Sequence, residues 1–260
     1  MQFQGLLSLA ALAASLFPAS GAAQCARETL VAATEKLLAA QTAGSPETLG
    51  ALAGVGYLEQ FKTADVTKGI LATPVPLDFN RSLHDTVQCS TYTEMVSAGG
   101  AHPYVIGTQM HFTPDGALVN LSSLVTDRGD WLFNATGTLY WAAREDWGVI
   151  PEDQRDSRET IQAAADAYAD IFNDKSVTVP WGSPCARLEG GAYTGTGSAS
   201  DRCDVGIPNG VALVNRRYVI DETIGAVDVF IDFATVPDSH EFRVEKGKIR
   251  FVHTITVMGG

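Results

Sequence analysis

Near the C-terminus a single histidine interrupts an apolar row. Ile249, Phe251, His253, Ile255 and Val257 occupy alternate positions, with Arg250, Val252, Thr254 and Thr256 between them. A period of two marks a strand, because successive side chains point to opposite faces. An imidazole on such a face must stay neutral or find a polar partner, since burying its charge is costly. With an unperturbed pKa of about 6.5 it can give or take a proton. His253 is therefore the first candidate for acid–base chemistry, and its alternative is a satisfied structural histidine. Asp221, on the strand before, is the natural carboxylate to hold one ring nitrogen and leave the other free. Alternation groups Arg217, Val219 and Asp221 on one face and Tyr218, Ile220 and Glu222 on the other. If the second set faces inward, Tyr218 and Glu222 take over the role, and either carboxylate can instead cap the turn at Thr223–Gly225.

His240, Glu241 and Arg243 stand at the entrance to the last hairpin. Arg243 is placed to stabilise a developing oxyanion; otherwise the three form a polar turn and an exposed edge. His84 with Asp85, and His111 on an earlier hairpin, make a thinner second set. Trp131, Trp141, Trp147 and Trp181, with Tyr140 and Tyr193, could line a carbohydrate or polyketide site, or serve as core anchors. No G-x-S-x-G elbow is present, and Gly195-Thr196-Gly197 lacks the context of a phosphate loop.

These residues need a sheet to hold them. Three antiparallel runs, Arg217–Glu222, Ala226–Ala234 and Glu241–Val257 with a break at Glu245–Lys248, close the chain. In the middle run Val227, Val229, Ile231 and Phe233 alternate with Asp228, Phe230 and Asp232, which predicts a half-buried strand. Ser157–Phe172 is the strongest helix: Ser157 caps it, and Ile161, Ala164, Ala165, Tyr168 and Phe172 form its apolar stripe. Upstream, Ala26–Ala40 is helical, and Tyr57–Phe61 reads as a helical turn. Tyr104–Thr113 and Ala117–Thr126 make a hairpin about Pro114-Asp115-Gly116. Gly137–Ala143 reads as a third strand of that meander. Pro184–Gly210 is a long glycine-rich loop that plausibly covers something.

The chain carries 260 residues, 45% of them hydrophobic, and a net charge of −12, which argues against general disorder and against nucleic acid or anionic membrane as partner. Residues 1–23 read as a secretory signal, with an apolar run from Leu6 to Phe17 and a small-residue stretch after it. Cys25, Cys89, Cys185 and Cys203 favour two disulfides in an oxidising compartment, and Cys25–Cys89 with Cys185–Cys203 is the preferred pairing of three. Asn80, Asn120 and Asn134 open glycosylation sequons. The expected location is extracellular.

A polar break at Ile150–Asp156 divides the chain into a first unit, residues 24–150, and a second, residues 151–260. Both read as a helix, an irregular section and antiparallel strands, with no sequence motif in common. The fold class is α+β, helices packed on curved antiparallel sheets, arranged either as two tandem units or as one enlarged domain whose sheet draws strands from both halves. The strand sequences Arg217-Tyr218-Val219-Ile220-Asp221-Glu222, Gly225-Ala226-Val227-Asp228-Val229-Phe230-Ile231-Asp232-Phe233 and Lys246-Gly247-Lys248-Ile249-Arg250 carry a resemblance. Over about Ser157–Met258 the chain resembles the cone-shaped NTF2-like, or SnoaL-like, fold and a group of secreted fungal proteins within it. The resemblance implies an interior pocket, in a family that holds dehydratases, isomerases and cyclases as well as members that only bind or scaffold. The residues and the resemblance together suggest a cofactor-independent lyase or isomerase acting on a small oxygenated organic molecule. In it His253 moves the proton, Asp221 orients it, and Arg243 or Tyr218 steadies the oxyanion. The alternative is a secreted protein that binds a small organic or carbohydrate-like ligand, or serves a structural role, without catalysis. No cofactor, metal, nucleic acid or membrane is expected, and an open sheet face makes a homodimer plausible.

Overall fold

The computed structural model describes residues 25–259, so the signal reading of residues 1–23 lies outside it. Two helices each lie on a six-stranded sheet, and the two sheets face one another. The first unit has α1 (Arg27–Ala43), then β1 (Gly56–Glu59), β2 (Lys62–Thr63), β3 (Phe79–Asp85), β4 (Ser90–Ser97), β5 (Tyr104–Phe112) and β6 (Leu118–Thr126). A connecting helix, α2 (Ala135–Ala142), leads to α3 (Arg158–Asp170). The second sheet follows as β7 (Trp181–Glu189), β8 (Ala192–Tyr193), β9 (Leu213–Asp221), β10 (Ala226–Phe233), β11 (Val236–Glu245) and β12 (Lys248–Thr256). Both sheets have the same strand order, β2-β1-β6-β5-β4-β3 and β8-β7-β12-β11-β10-β9. The α+β expectation holds, and the two sheets repeat one strand order. Each sheet departs from purely antiparallel pairing at one place, where β1 runs parallel to β6 and β7 to β12.

The repetition is also written in the sequence, contrary to the expectation of no shared motif. α1 opens with Arg27-Glu28-Thr29-Leu30 and α3 with Arg158-Glu159-Thr160-Ile161. Leu58-Glu59 ends β1 and Leu188-Glu189 ends β7, in the same register against neighbouring strands. β3 and β9 both end in aspartate, Asp85 and Asp221.

Alternation along the strands sorts the core into layers. Val227, Val229 and Ile231 pack with Ile161, Ala165 and Tyr168 of α3. Ala226 and Phe230 turn the other way and meet Leu83, Tyr92, Val105 and Leu124 of the first sheet. β10 is thus buried on both faces along most of its length, where the sequence predicted a half-buried strand. The sheet face that suggested a homodimer is covered by the other half of the same chain.

Three local readings change. Tyr57–Phe61 is not helical: it contains the end of β1 and a tight turn in which Gln60 and Phe61 have positive φ. Gly137–Ala143 belongs to α2, because Asn134 accepts a hydrogen bond from the Gly137 amide and so starts a helix. A short apolar run such as Leu139–Ala142 fits either state on pattern alone. The run from Glu241 is two strands joined at Lys246-Gly247, whose φ values of 53° and 68° suit a two-residue hairpin turn. A bulge beside this hairpin sends Ile249 to the α3 side, while Phe251, His253, Ile255 and Val257 keep the expected common face, which meets the first sheet.

Both preferred disulfides are present, Cys25–Cys89 and Cys185–Cys203. No helix among the described residues is long and apolar enough to cross a membrane.

Candidate functional site

His253 is sealed between the sheets. Its Nε2 lies 2.7 Å from Glu145 and its Nδ1 3.1 Å from Glu94 on β4. Arg81 on β3 reaches into the same cluster, 2.7 Å from Glu94 and with its Nε 3.0 Å from Glu241 on β11. Its guanidinium lies 3.7 Å above the Trp147 ring, and the Trp147 and Tyr193 side chains both donate to Glu145. Burial alone would depress the His253 pKa, but the Glu94 and Glu145 carboxylates outweigh it and lift the value to about 10. Burial raises Glu94, yet His253 and Arg81 bring it down to about 2. Burial keeps Glu241 above its ordinary value against the pull of Arg81. Glu94, Glu241 and His253 have a spacing that a metal could use, but Arg81 already supplies the positive charge there. With both ring nitrogens paired at 2% exposure, His253 binds the halves together and leaves no ring nitrogen free for substrate.

The partners expected for His253 are elsewhere. Asp221 accepts from Arg27 at 2.8 and 2.7 Å and from the His84 amide, 2.9 Å away. Arg243 donates to the Gly148 and Ile224 carbonyls and pairs with Glu245, so it holds backbone. Tyr218 faces α3 and donates to Asp166. Glu222 receives the Arg158 amide at the start of α3. His84 contacts Thr34, and His111 is half-buried with its pKa lowered mainly by burial.

His240 remains, and it borders a cavity. Between α3 and the second sheet lies a space of about 430 Å³, walled by Tyr168, Phe172, Val211, Phe233 and Trp131. Its polar side comes from β7, β11 and β12: Arg187, Glu189, Asp238, His240, Thr254 and Thr256. Period two puts Asp238 and His240 on the same face of β11. His240 Nδ1 lies 3.0 Å from Asp238 Oδ2, and Asp238 Oδ1 accepts from Thr256. The Nδ1–Oδ2 contact is at ion-pair distance without hydrogen-bond alignment, and both atoms lack another partner. Nε2 makes no hydrogen bond among the described residues, which leaves it for a ligand. Tyr168, Phe172 and Phe242 surround the ring at 5.3 to 6.2 Å and hold it in place.

A family model described as "Domain of unknown function (DUF8021)" matches residues 154–256. No curated protein matches the chain. The matched segment runs from just before α3 to the end of β12, and so contains most of the cavity lining, including the Asp238–His240 pair.

The first unit treats the equivalent position differently. Glu59, the counterpart of Glu189, accepts from the Ile70 amide at 2.7 Å and from Tyr57. Ile70, Leu71 and Val75 fill the space against Tyr57, Met95 and Met110. Gly69 permits this, since a Cβ there would lie 2.0 Å from the Glu59 carboxylate. In the second unit, Glu189 pairs with Arg187 at 2.8 Å beside open space.

Sequence reasoning stood His240 at the entrance to the last hairpin, with a polar turn as the alternative, whereas it lies within β11, whose early Pro237 is tolerated there. The usable signal was Asp-x-His opposite Thr-x-Thr. Arg187 and Glu189 were assigned to a loop that in fact contains most of β7 and all of β8.

Proposed function

We propose that this protein is a cofactor-independent lyase or isomerase for a small oxygenated organic molecule, with His240 rather than His253 as the proton-transfer group. The observation that carries this reading is a 4% exposed His240, 3.0 Å from Asp238, on the border of a cavity large enough for a small molecule. His240 Nε2 takes a proton from the carbon next to a carbonyl, and the electron pair moves toward the carbonyl oxygen. Asp238 stabilises the imidazolium that forms and keeps Nδ1 protonated. In a lyase the same proton passes to a departing hydroxyl: the C–O bond breaks, a C=C bond forms and water leaves. In an isomerase it returns at another carbon of the conjugated system.

Proton abstraction is testable before the substrate is known. An enolisable, phenyl-substituted alkyl ketone such as benzylacetone, incubated with the protein in deuterium oxide, should exchange its α-hydrogens faster than in buffer, as read by NMR. His240→Gln should remove the acceleration, and Asp238→Asn should reduce it by about a hundredfold or more. A ketone shown to be bound by saturation transfer but exchanging at the buffer rate would rule out the enzyme reading. A non-catalytic ligand-binding protein would then stand, a reading favoured by the largely apolar wall.

We take the protein to act outside the cell. Two disulfides favour an oxidising compartment, and the sequon residues Asn80 and Asn134 are exposed, with Asn120 half-buried. Glycosylation at these positions belongs to the same proposal.

A further inference from the structure

The polar side of the cavity already holds two carboxylates against one guanidinium: Arg187 pairs with Glu189 at 2.8 Å, and Asp238 lies 3.0 Å from His240, an imidazole that acts as a base only in its neutral form. An anionic ligand would add a third negative charge to that set. Three of its atoms lack hydrogen-bond partners: Nε of Arg187, a residue 4% exposed, is a donor, Nδ1 of His240 faces Asp238, and Oδ2 of Asp238 is an acceptor. A carboxylate oxygen has two lone pairs, so Oδ2 can serve both the imidazole and a ligand hydroxyl. The rest of the wall, Phe172, Val211, Phe233 and Trp131, offers ring and methyl surface. A sugar, with hydroxyls round its whole rim, would leave most of them unpaired there.

We infer that the cavity selects a neutral molecule with an apolar body and, at its buried end, a carbonyl oxygen for Arg187 and a neighbouring hydroxyl for Asp238. Sugars and carboxylates are disfavoured. This rests on the acid–base reading of the same cavity and narrows its substrate class. The carbonyl that activates the α-hydrogen and the hydroxyl that leaves are the two groups the unpartnered atoms receive.

The test is a binding series on the intact wild-type protein by isothermal titration. The probes are the aldol adduct of benzaldehyde and acetone, benzylacetone, which lacks the hydroxyl, and butylbenzene, which lacks both oxygens. The matching β-hydroxy carboxylate and cellobiose complete it. Each missing oxygen should weaken binding by about fivefold, although its loss makes the probe more apolar. The carboxylate should bind more than roughly tenfold more weakly than the adduct, and cellobiose should not bind measurably. Arg187→Lys keeps the charge but lacks Nε, and should erase the difference between benzylacetone and butylbenzene, with a thermal melt confirming that the variant is folded. Equal binding of carboxylate and adduct, binding of cellobiose, affinities indifferent to the oxygens, or no binding of any probe would overturn the inference. Binding in the expected order without α-exchange would remove the enzyme reading and leave this one. Exchange supported only by a charged probe would do the reverse.

Discussion

Arg27 and Asp221, from opposite halves of the chain, lie 2.7 Å apart, and Arg158 repeats the relationship with Asp85 at 2.6 Å. Each arginine is the first residue of its unit's helix, and each aspartate is the last residue of the other unit's edge strand. The aspartates also accept backbone amides across the seam, His84 to Asp221 and Ile220 to Asp85. The two units are therefore sewn together by one device used twice, about an approximate two-fold axis. Burial opposes the Asp221 charge, but the His84 and Arg27 hydrogen bonds prevail and hold its pKa at about 2.

Removing either aspartate should strand a guanidinium and open a backbone amide. Asp85→Ala and Asp221→Ala should each cost about 3 kcal/mol in urea unfolding. Arg27→Ala should cost less, about 1 kcal/mol, because that side chain is 31% exposed. A loss below about 0.5 kcal/mol for both aspartates would show that the seam is held by the apolar layer alone.

The inter-sheet cluster makes stability depend on pH in a definite direction. The His253 value rises from 6.5 to about 10 on folding, so its contribution is complete below pH 6.5 and is lost as pH climbs toward 10. Glu94 and Asp221 fall from 4.5 and 3.8 to about 2, so theirs is complete above those values and lost as pH drops toward 2. Asp228, raised by burial, and Glu241 favour the acid side. Melting temperature should peak between about pH 4.5 and 6.5 and decline on both sides. A stability that keeps rising from pH 7 to 9 would contradict the ion pairing described.

His253→Gln tests the division of labour between the histidines. It leaves Glu145 without its ring partner and Glu94 with Arg81 alone, and should cost about 3 kcal/mol. At a temperature where the variant is folded, its α-exchange rate should match wild type. Loss of exchange in folded His253→Gln would return His253 to the chemistry.

The Cys185–Cys203 bridge ties β7 to the segment that contributes Gly206, Pro208 and Val211 to the cavity. Arg187 adds a second tie through the Cys203 carbonyl, 3.1 Å away. Replacing both cysteines by alanine should cost about 3 kcal/mol, as expected for a loop of this length, and should weaken probe binding. Unchanged affinity would mean that the cover is held without the bridge.

The matched segment should not behave well alone. Expressed as residues 151–259, the second unit would expose Phe230, Phe251 and Ile255 and leave Glu241 without Arg81 and His253 without Glu94. Light scattering should show self-association or aggregation. A stable monomer would show that the first unit is dispensable to the second.

Much of the architecture was legible because it depends on local rules. The stripe of α3, its Ser157 cap, the Pro114-Asp115-Gly116 hairpin and both cysteine pairings follow from periodicity, capping, turn chemistry and loop length. The duplication was also legible, in Arg-Glu-Thr at two helix starts, but a three-residue match means little until two identical sheets give it a place. α2 escaped because its short apolar run has no decisive period.

The sequence alone determined the alternation that placed His253 in an apolar row, while the shared face of Asp238 and His240 emerged only with β11 extending back to Val236. Only the tertiary structure decided what each face meets. Facing the other sheet, His253 meets Glu94 and Glu145 and is neutralised as a reagent. Facing α3, His240 meets a cavity. Those outcomes depend on charges contributed more than a hundred residues away and on space left unfilled in one unit but plugged by Ile70 and Leu71 in the other. Alternation along one strand carries no information about either, because the burial and the partners that tune an ionisable group come from elements distant in sequence.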